Sequence, residues 1–183
     1  MFRDLLAFQP DIVTIKLGTN DSKPWNWRYG KDFKKDLKRG QDAEHMFAMK
    51  YQHCITRLDG RGADFEIDKT GETIELKTDF YGEHKTANFF MERFSYDDKV
   101  GGPWQALSKS VTYFVYQFDG GSSYIFNTAQ LVRKLEKITK DMELVCVRNK
   151  NHVTKGYKVE RSLLDSIRLH PDDIGLYEKK GKK

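Results

Sequence analysis

The segment 111–118, VTYFVYQF, constrains the fold of this chain more strongly than any other stretch. Its side chains are almost all β-branched or aromatic, which favours a β-strand. No polar face remains that could be turned toward water, so the strand must be covered on both sides. Such a strand lies at the centre of a sheet that has a further layer on each face. The segment therefore predicts a layered domain with a buried central sheet.

Helices and further strands alternate around this central strand. Residues 31–51 are strong helix formers except at Gly40, so we expect a helix with a break or cap near Gly40. Residues 129–138 are amphipathic and follow two candidate capping residues, Asn127 and Thr128. A short helix is predicted at PWQAL, and short strands are predicted at CITRL, on both sides of DKTG, at NFFMERF, at YIFN and at ELVCV. The fold class is therefore α/β, with a mixed central β-sheet flanked by helices.

The size and charge of the chain limit its organisation and its partners. Its 183 residues suffice for one domain with a substantial core. We expect an N-terminal strand and loop over 1–30, packed on a main domain over 31–175, and a basic flexible tail over 176–183. No apolar run could span a membrane and the first residues lack a signal-peptide pattern, so we expect a cytoplasmic protein without a membrane partner. The formal charge of +5 favours a polyanionic partner such as nucleic acid.

The predicted hairpin on either side of DKTG contains the charged residues best suited to a catalytic or metal site. With KT at its tip, Phe65 lies opposite Ile74 and Asp64 lies opposite Glu75, and alternation puts Lys77 on the same face as the two carboxylates. Like charges directly opposite each other repel, so we expect a cation between Asp64 and Glu75. Hard oxygen ligands of this kind suit Mg²⁺ or Mn²⁺. A one-residue slip in register would pair Asp64 with an apolar residue and remove the site.

A further carboxylate lies on the predicted helix after Gly40. Glu44 shares a helical stripe with Phe47, Ala48 and Tyr51, and a carboxylate on an apolar stripe needs a partner. If the helix packs on the hairpin, Glu44 approaches the same cation, either as a ligand or by holding a bound water.

Three segments carry a family resemblance. GQDAE, TRLDGRGAD and IELK resemble the G-x-x-x-E, D and E-x-K elements of the PD-(D/E)XK nuclease superfamily, in the arrangement of Holliday-junction resolvases and related phage endonucleases. The resemblance covers residues 31–118, and the Pro that gives the superfamily its name is replaced by Ala63. It implies a restriction-endonuclease-like core and a Mg²⁺-dependent endonuclease. Such an enzyme would hydrolyse DNA phosphodiester bonds, with structure selectivity and a role in DNA recombination, in the bacterial host cytoplasm if the chain is phage-encoded.

The resemblance also implies roles for individual residues. Asp64, Glu75 and the Leu76 carbonyl would bind Mg²⁺, or Mn²⁺ in its place, with Glu44 completing or supporting the site. Lys77 would orient the attacking water or stabilise charge on the scissile phosphate. The residues expected to contact DNA are Arg57, Arg61, Lys85, Arg93 and Gln105. Symmetric cutting of two strands would require a homodimer.

Other interpretations of the same residues stay open. The charged hairpin face could be a solvated surface with a cross-strand ion pair. The chain could also be a non-catalytic nucleic-acid-binding module of nuclease-like fold. A binder has no need of a carboxylate cluster that repels phosphate when no metal is bound.

An esterase is the alternative from another class. The run PDIVTIKLGTNDSKPWNW resembles the G-x-N-D block of SGNH esterases. This would place Gly18 and Asn20 in an oxyanion hole, with His170 as the base. The chain contains no G-D-S block for the nucleophile, and Ile167 and Arg168 stand where the family's Asp precedes its His.

Overall fold

The computed structural model describes residues 31–59, 62–95, 98–148 and 153–177. The strand and loop expected over 1–30, Arg61, and most of the expected tail lie outside the described residues. The described α-helices are α1 (Lys31–Lys50), α2 (Gly102–Ser108) and α3 (Thr128–Ile138). The described strands are β1 (Ile55–Arg57), β2 (Phe65–Ile67), β3 (Thr73–Asp79), β4 (Asn88–Phe94), β5 (Tyr113–Phe118), β6 (Ser123–Asn127), β7 (Val145–Arg148), β8 (Val153–Glu160) and β9 (Arg168–Leu169). Short 3-10 helices cover Glu83–Lys85, Arg161–Ile167 and Pro171–Ile174.

The strands form a mixed main sheet and a smaller antiparallel sheet. The main sheet has six strands in the order β1-β2-β3-β5-β6-β9, and the smaller one has three in the order β4-β8-β7. Strands β3 and β5 are parallel, whereas β1-β2, β2-β3, β5-β6 and β6-β9 are antiparallel. The predicted α/β class with a mixed central sheet flanked by helices is therefore confirmed.

Apolar side chains pack on both faces of the main sheet. On one face, Phe47 and Tyr51 of α1 pack against Phe65 of β2. On the other face, β4, β8, α2 and α3 contribute the residues that cover β5. Along β5, Val115 belongs to the first core and Tyr116 to the second. The expectation that this strand is central and buried on both sides is thus confirmed.

Two local expectations have different outcomes. Asn127 caps α3 as expected, because its side-chain oxygen accepts a hydrogen bond from the Gln130 N–H at 3.1 Å. The predicted break near Gly40 is wrong, since α1 runs without interruption from Lys31 to Lys50. A helix-interior glycine costs only about 1 kcal/mol relative to alanine, and packing of the apolar stripe offsets that cost.

No helix in the described part of the chain is both long and apolar enough to cross a membrane.

Candidate functional site

The hairpin of β2 and β3 has the predicted register but ends one pair early. Phe65 pairs with Ile74 as expected, and the ladder stops there. Asp64 lies just outside the ladder, where its N–H donates to the Ile74 carbonyl at 2.9 Å. Its Oδ2 accepts a hydrogen bond from the Leu76 N–H at 2.7 Å. The expected cross-strand pair of Asp64 with Glu75 is therefore wrong in detail, because a local irregularity turns the Asp64 carboxylate onto the edge of β3.

Beyond Ile74, β3 therefore has no strand partner on its β2 side among the described residues, and this side is called the open edge of β3. The N–H and C=O groups of one strand residue point to the same side of the strand. Because the Leu76 N–H points to Asp64, the Leu76 carbonyl faces the same edge. The described geometry therefore brings together the Asp64 carboxylate and the Leu76 carbonyl, with Glu75 as the preceding residue of the strand.

Helix α1 brings Glu44 to the same place. Glu44 is only 8% exposed, and one of its carboxylate oxygens forms an ion pair with the Arg57 guanidinium on β1. The pKa of Glu44 is raised from its ordinary value of 4.5 to about 7, first by burial and then by the negative charge of Asp64, while Arg57 opposes the shift. Glu44 is thus near enough to Asp64 for their charges to interact, and its role at a cation stays a prediction. Arg57 acts there as a counter-ion.

Asp64 is perturbed in the same direction. Burial raises its pKa from 3.8 to about 6, although the Leu76 hydrogen bond and the charges of Lys109 and Arg57 act against that shift. Two neighbouring acids that both resist ionisation form a site that would gain from added positive charge. Raised carboxylate pKa values of this kind are typical of functional sites.

Lys77 lies on the same strand but is covered by the second layer of the fold. Its side chain is 11% exposed, and its Nζ lies 3.4 Å from Oε2 of Glu92 on β4. Burial lowers the pKa of Lys77, and the charges of Glu92, Asp79 and Glu75 oppose that shift. The interpretation of the hairpin's charged face as a fully solvated surface is therefore wrong at Lys77.

The residues expected to contact DNA lie in different parts of the fold. Arg57 lies at the acidic site. Arg93 instead packs over the Trp104 ring at 4.7 Å and approaches Glu136 at 3.9 Å. Lys85 is exposed, with its Nζ 5.7 Å from the centre of the Tyr81 ring. Gln105 is partly exposed on α2, one helical turn before Lys109.

Sequence reasoning missed two residues of this region, Glu92 and Lys109. Lys109 follows α2, and its Nζ donates to the Gly62 carbonyl at 3.3 Å, which puts its charge beside Asp64. Glu92 could have been noticed as a charged residue that ends the apolar run NFFM. Nothing in the chain pattern pointed to Lys109.

The donor set at the β3 edge consists of oxygens. No group of three or more His, Cys, Asp or Glu side chains in the described residues is close enough to hold a metal ion by itself. Magnesium is commonly held by one or two carboxylates together with several waters, so a preformed cage is not required. The Asp64 carboxylate, placed beside Leu76, is an oxygen donor of the kind that Mg²⁺ prefers, and binding of a cation by Glu75, the Leu76 carbonyl and Glu44 stays a prediction.

Of the residues expected for an esterase, the structure describes only His170. Gly18 and Asn20 lie outside the described residues. His170 is exposed, and its Nδ1 accepts the Asp172 N–H at 3.3 Å while Asp173 accepts the His170 N–H at 2.9 Å. Its side chain therefore caps the 3-10 helix Pro171–Ile174.

Comparisons with known proteins identify similarity over a short stretch. No family model matches the chain, and no solved structure matches it. An acetylxylan esterase of Xylanibacter ruminicola is 63% identical to the chain over 38 residues, which lie in the N-terminal region. The match covers 21% of this chain and 8% of the length of that esterase.

Proposed function

We propose that this chain is a Mg²⁺-dependent endonuclease with a restriction-endonuclease-like core that hydrolyses DNA phosphodiester bonds. The observation that carries the proposal is that the Asp64 carboxylate accepts the Leu76 N–H on the Glu-x-Lys strand and lies near enough to Glu44 for its charge to raise the Glu44 pKa. The element order supports it: a helix that carries Glu44, the Asp and Glu-x-Lys hairpin, and a helix before the central parallel strand. This order is what the resemblance of the sequence implies.

Each residue of the site would have a separate role in hydrolysis. Asp64, Glu75 and the Leu76 carbonyl would hold the cation, and Glu44 would hold a water or complete the ligand set. A bound divalent cation supplies positive charge at the scissile phosphate and acidifies a water. Lys77 would donate hydrogen bonds to the phosphate oxygen on which charge develops as water attacks phosphorus and the bond to one sugar oxygen breaks. Manganese, with similar ligand preferences, would substitute for magnesium.

The charge of the chain supports a DNA substrate. A formal charge of +5 attracts a polyanion at long range. Arg57 and Lys109 flank the acidic site and could contact phosphates next to the scissile bond. Branched DNA is the substrate that the resolvase-like resemblance favours.

The direct test is cleavage of branched and linear duplex DNA by the purified chain. We expect cleavage with Mg²⁺ or Mn²⁺ and none with EDTA. Asp64→Asn and Lys77→Met should each lower the rate by at least about 100-fold, because they remove a ligand or the group that neutralises the phosphate. Glu143→Gln, which changes an exposed carboxylate between α3 and β7, serves as the control and should cleave normally.

Undiminished cleavage by either site variant would remove the assigned site. Tight DNA binding without cleavage under any metal condition would instead favour the non-catalytic binding module.

The second candidate is an acyl hydrolase, and the 38-residue match to an acetylxylan esterase favours it. That match covers only 8% of the esterase, and the chain contains no G-D-S block. Release of acetate from acetylated xylan or p-nitrophenyl acetate, lost in His170→Ala, would establish this function. We expect no such release, because His170 is engaged as a helix cap.

A further inference from the structure

Glu92 on β4 lies outside every motif of the sequence, yet it is among the most buried charged residues described. It is 2% exposed, and its Oε2 lies 3.4 Å from the Lys77 Nζ. Its Oε1 is buried and has no hydrogen-bond partner among the described residues. A buried carboxylate with one unsatisfied oxygen costs free energy that a well-packed apolar side chain would not.

Two adjacent glycines pack against Glu92, Gly101 against its carboxylate and Gly102 against its backbone. A Cβ atom on Gly101 would come within 2.5 Å of Glu92 Oε1. Gly102 has a positive φ of 46°, and a Cβ there would come within 2.5 Å of the Glu92 carbonyl oxygen. The absence of a side chain at Gly101 therefore leaves space for the Glu92 carboxylate.

Two other carboxylates, Asp79 and Glu75, lie near enough to Lys77 for their charges to act on it. Asp79 accepts the Tyr116 hydroxyl at 2.6 Å and the Tyr81 N–H at 2.8 Å. The charge of Glu75 also raises the pKa of Lys77, but by less than the charge of Glu92 does. Glu92 is the carboxylate within ion-pair distance of Lys77 in the described part of the chain.

We propose that Glu92 is a positioning residue for Lys77: its carboxylate holds the ammonium beside the Asp64 and Glu75 site, where the scissile phosphate would lie. The inference deepens the proposed function and rests on it. Lys77 has a long, flexible stem, so an ammonium without a fixed partner would sample several rotamers. Glu92 comes from the second sheet and packs against Gly101, so it holds the Lys77 ammonium in one position.

The test combines two double-variant cycles on the full chain, with Glu92→Gln, Lys77→Met and both changes together. In DNA cleavage with Mg²⁺, Glu92→Gln should lower kcat about 10- to 100-fold with little change in KM. Adding Glu92→Gln to Lys77→Met should cause no further loss, because Glu92 acts through Lys77. Glu92→Asp, which keeps the charge, should retain more activity than Glu92→Gln.

The second cycle measures urea unfolding without DNA or metal. Each single change leaves a buried charge unpaired, so the double variant should unfold at a higher urea concentration than either single variant. Glu83→Gln is the matched control, because Glu83 pairs with Arg161 at 2.9 Å away from this site. It should lower the unfolding midpoint and leave kcat unchanged.

The two cycles distinguish failure of the positioning role of Glu92 from failure of the proposed function. Losses of kcat that multiply in the double variant, or unfolding midpoints that simply add, would overturn the positioning role. If the unaltered chain cleaves no DNA, the proposed function fails, and the unfolding cycle still decides whether Glu92 holds Lys77.

Discussion

At the scale of single residues, the acidic site is defined by two carboxylates that are costly to ionise. Glu44 and Asp64 have pKa values raised to about 7 and about 6, mainly by burial. Each group binds its proton more tightly in the folded chain than in the unfolded one. Its contribution to stability is therefore present below the ordinary carboxyl pKa and is lost as the pH rises through the raised value.

This pH dependence of the stability predicts the behaviour of Glu44→Gln. Between pH 4.5 and pH 7 the free energy of unfolding of the metal-free wild type should fall relative to the variant, by on the order of 2 kcal/mol. Urea unfolding of both proteins across that range measures the difference. Parallel curves for the two proteins would show that Glu44 titrates normally in the folded chain.

At the scale of elements, a buried hydroxyl joins three strands. The Tyr116 hydroxyl on β5 donates to Asp79 Oδ2 on β3 at 2.6 Å and accepts the Phe90 N–H of β4 at 3.1 Å. The two sheets are thus joined next to Lys77 by a satisfied polar network.

Tyr116→Phe should destabilise the chain by about 1–3 kcal/mol, because it leaves a buried carboxylate oxygen and a buried N–H without partners. Tyr177→Phe, at an exposed tyrosine, is the control and should change stability by less than about 0.5 kcal/mol. Thermal or urea unfolding measures both. Equal stability of Tyr116→Phe and the wild type would contradict the network.

The pairing of β4 with β8 makes a second prediction at this scale. Gly156 lies opposite Glu92, and a Cβ there would come within 2.6 Å of the Met91 carbonyl oxygen. Gly156→Ala should therefore cost about 1–3 kcal/mol of stability through overpacking. Gly62→Ala should be nearly neutral, because the added Cβ meets no atom of the described residues within 4 Å apart from its chain neighbours. Similar unfolding midpoints for the two variants would argue against a close approach of β4 and β8.

Element prediction succeeded where the local pattern agreed with the final packing. The hairpin register and the cap at Asn127 were predictable because they depend on neighbouring residues. The end of the ladder at Phe65 was not, since the placement of Asp64 depends on a hydrogen bond to Leu76 twelve residues away. The expected break at Gly40 was wrong because packing of α1 on the sheet outweighs the local cost of glycine.

At the scale of the whole molecule, symmetric cleavage of a branched substrate predicts a homodimer. Two active sites related by a two-fold axis are the simplest way to cut two strands in the same manner. Multi-angle light scattering of the chain with branched DNA should therefore give a mass that includes two protein chains. Only one chain per DNA at saturating protein would rule out this mode of cutting.

The sequence by itself determined the α/β class, the central strand and the hairpin register, because alternation and residue type act over a few neighbouring positions. It also placed Asp64, Glu75 and Lys77 on one hairpin. Only the tertiary structure decided that Glu44 pairs with Arg57 within range of the Asp64 charge, and that Lys77 is buried against Glu92. Those contacts join different sheets and layers, so their energy depends on the packing of the whole domain rather than on any local pattern.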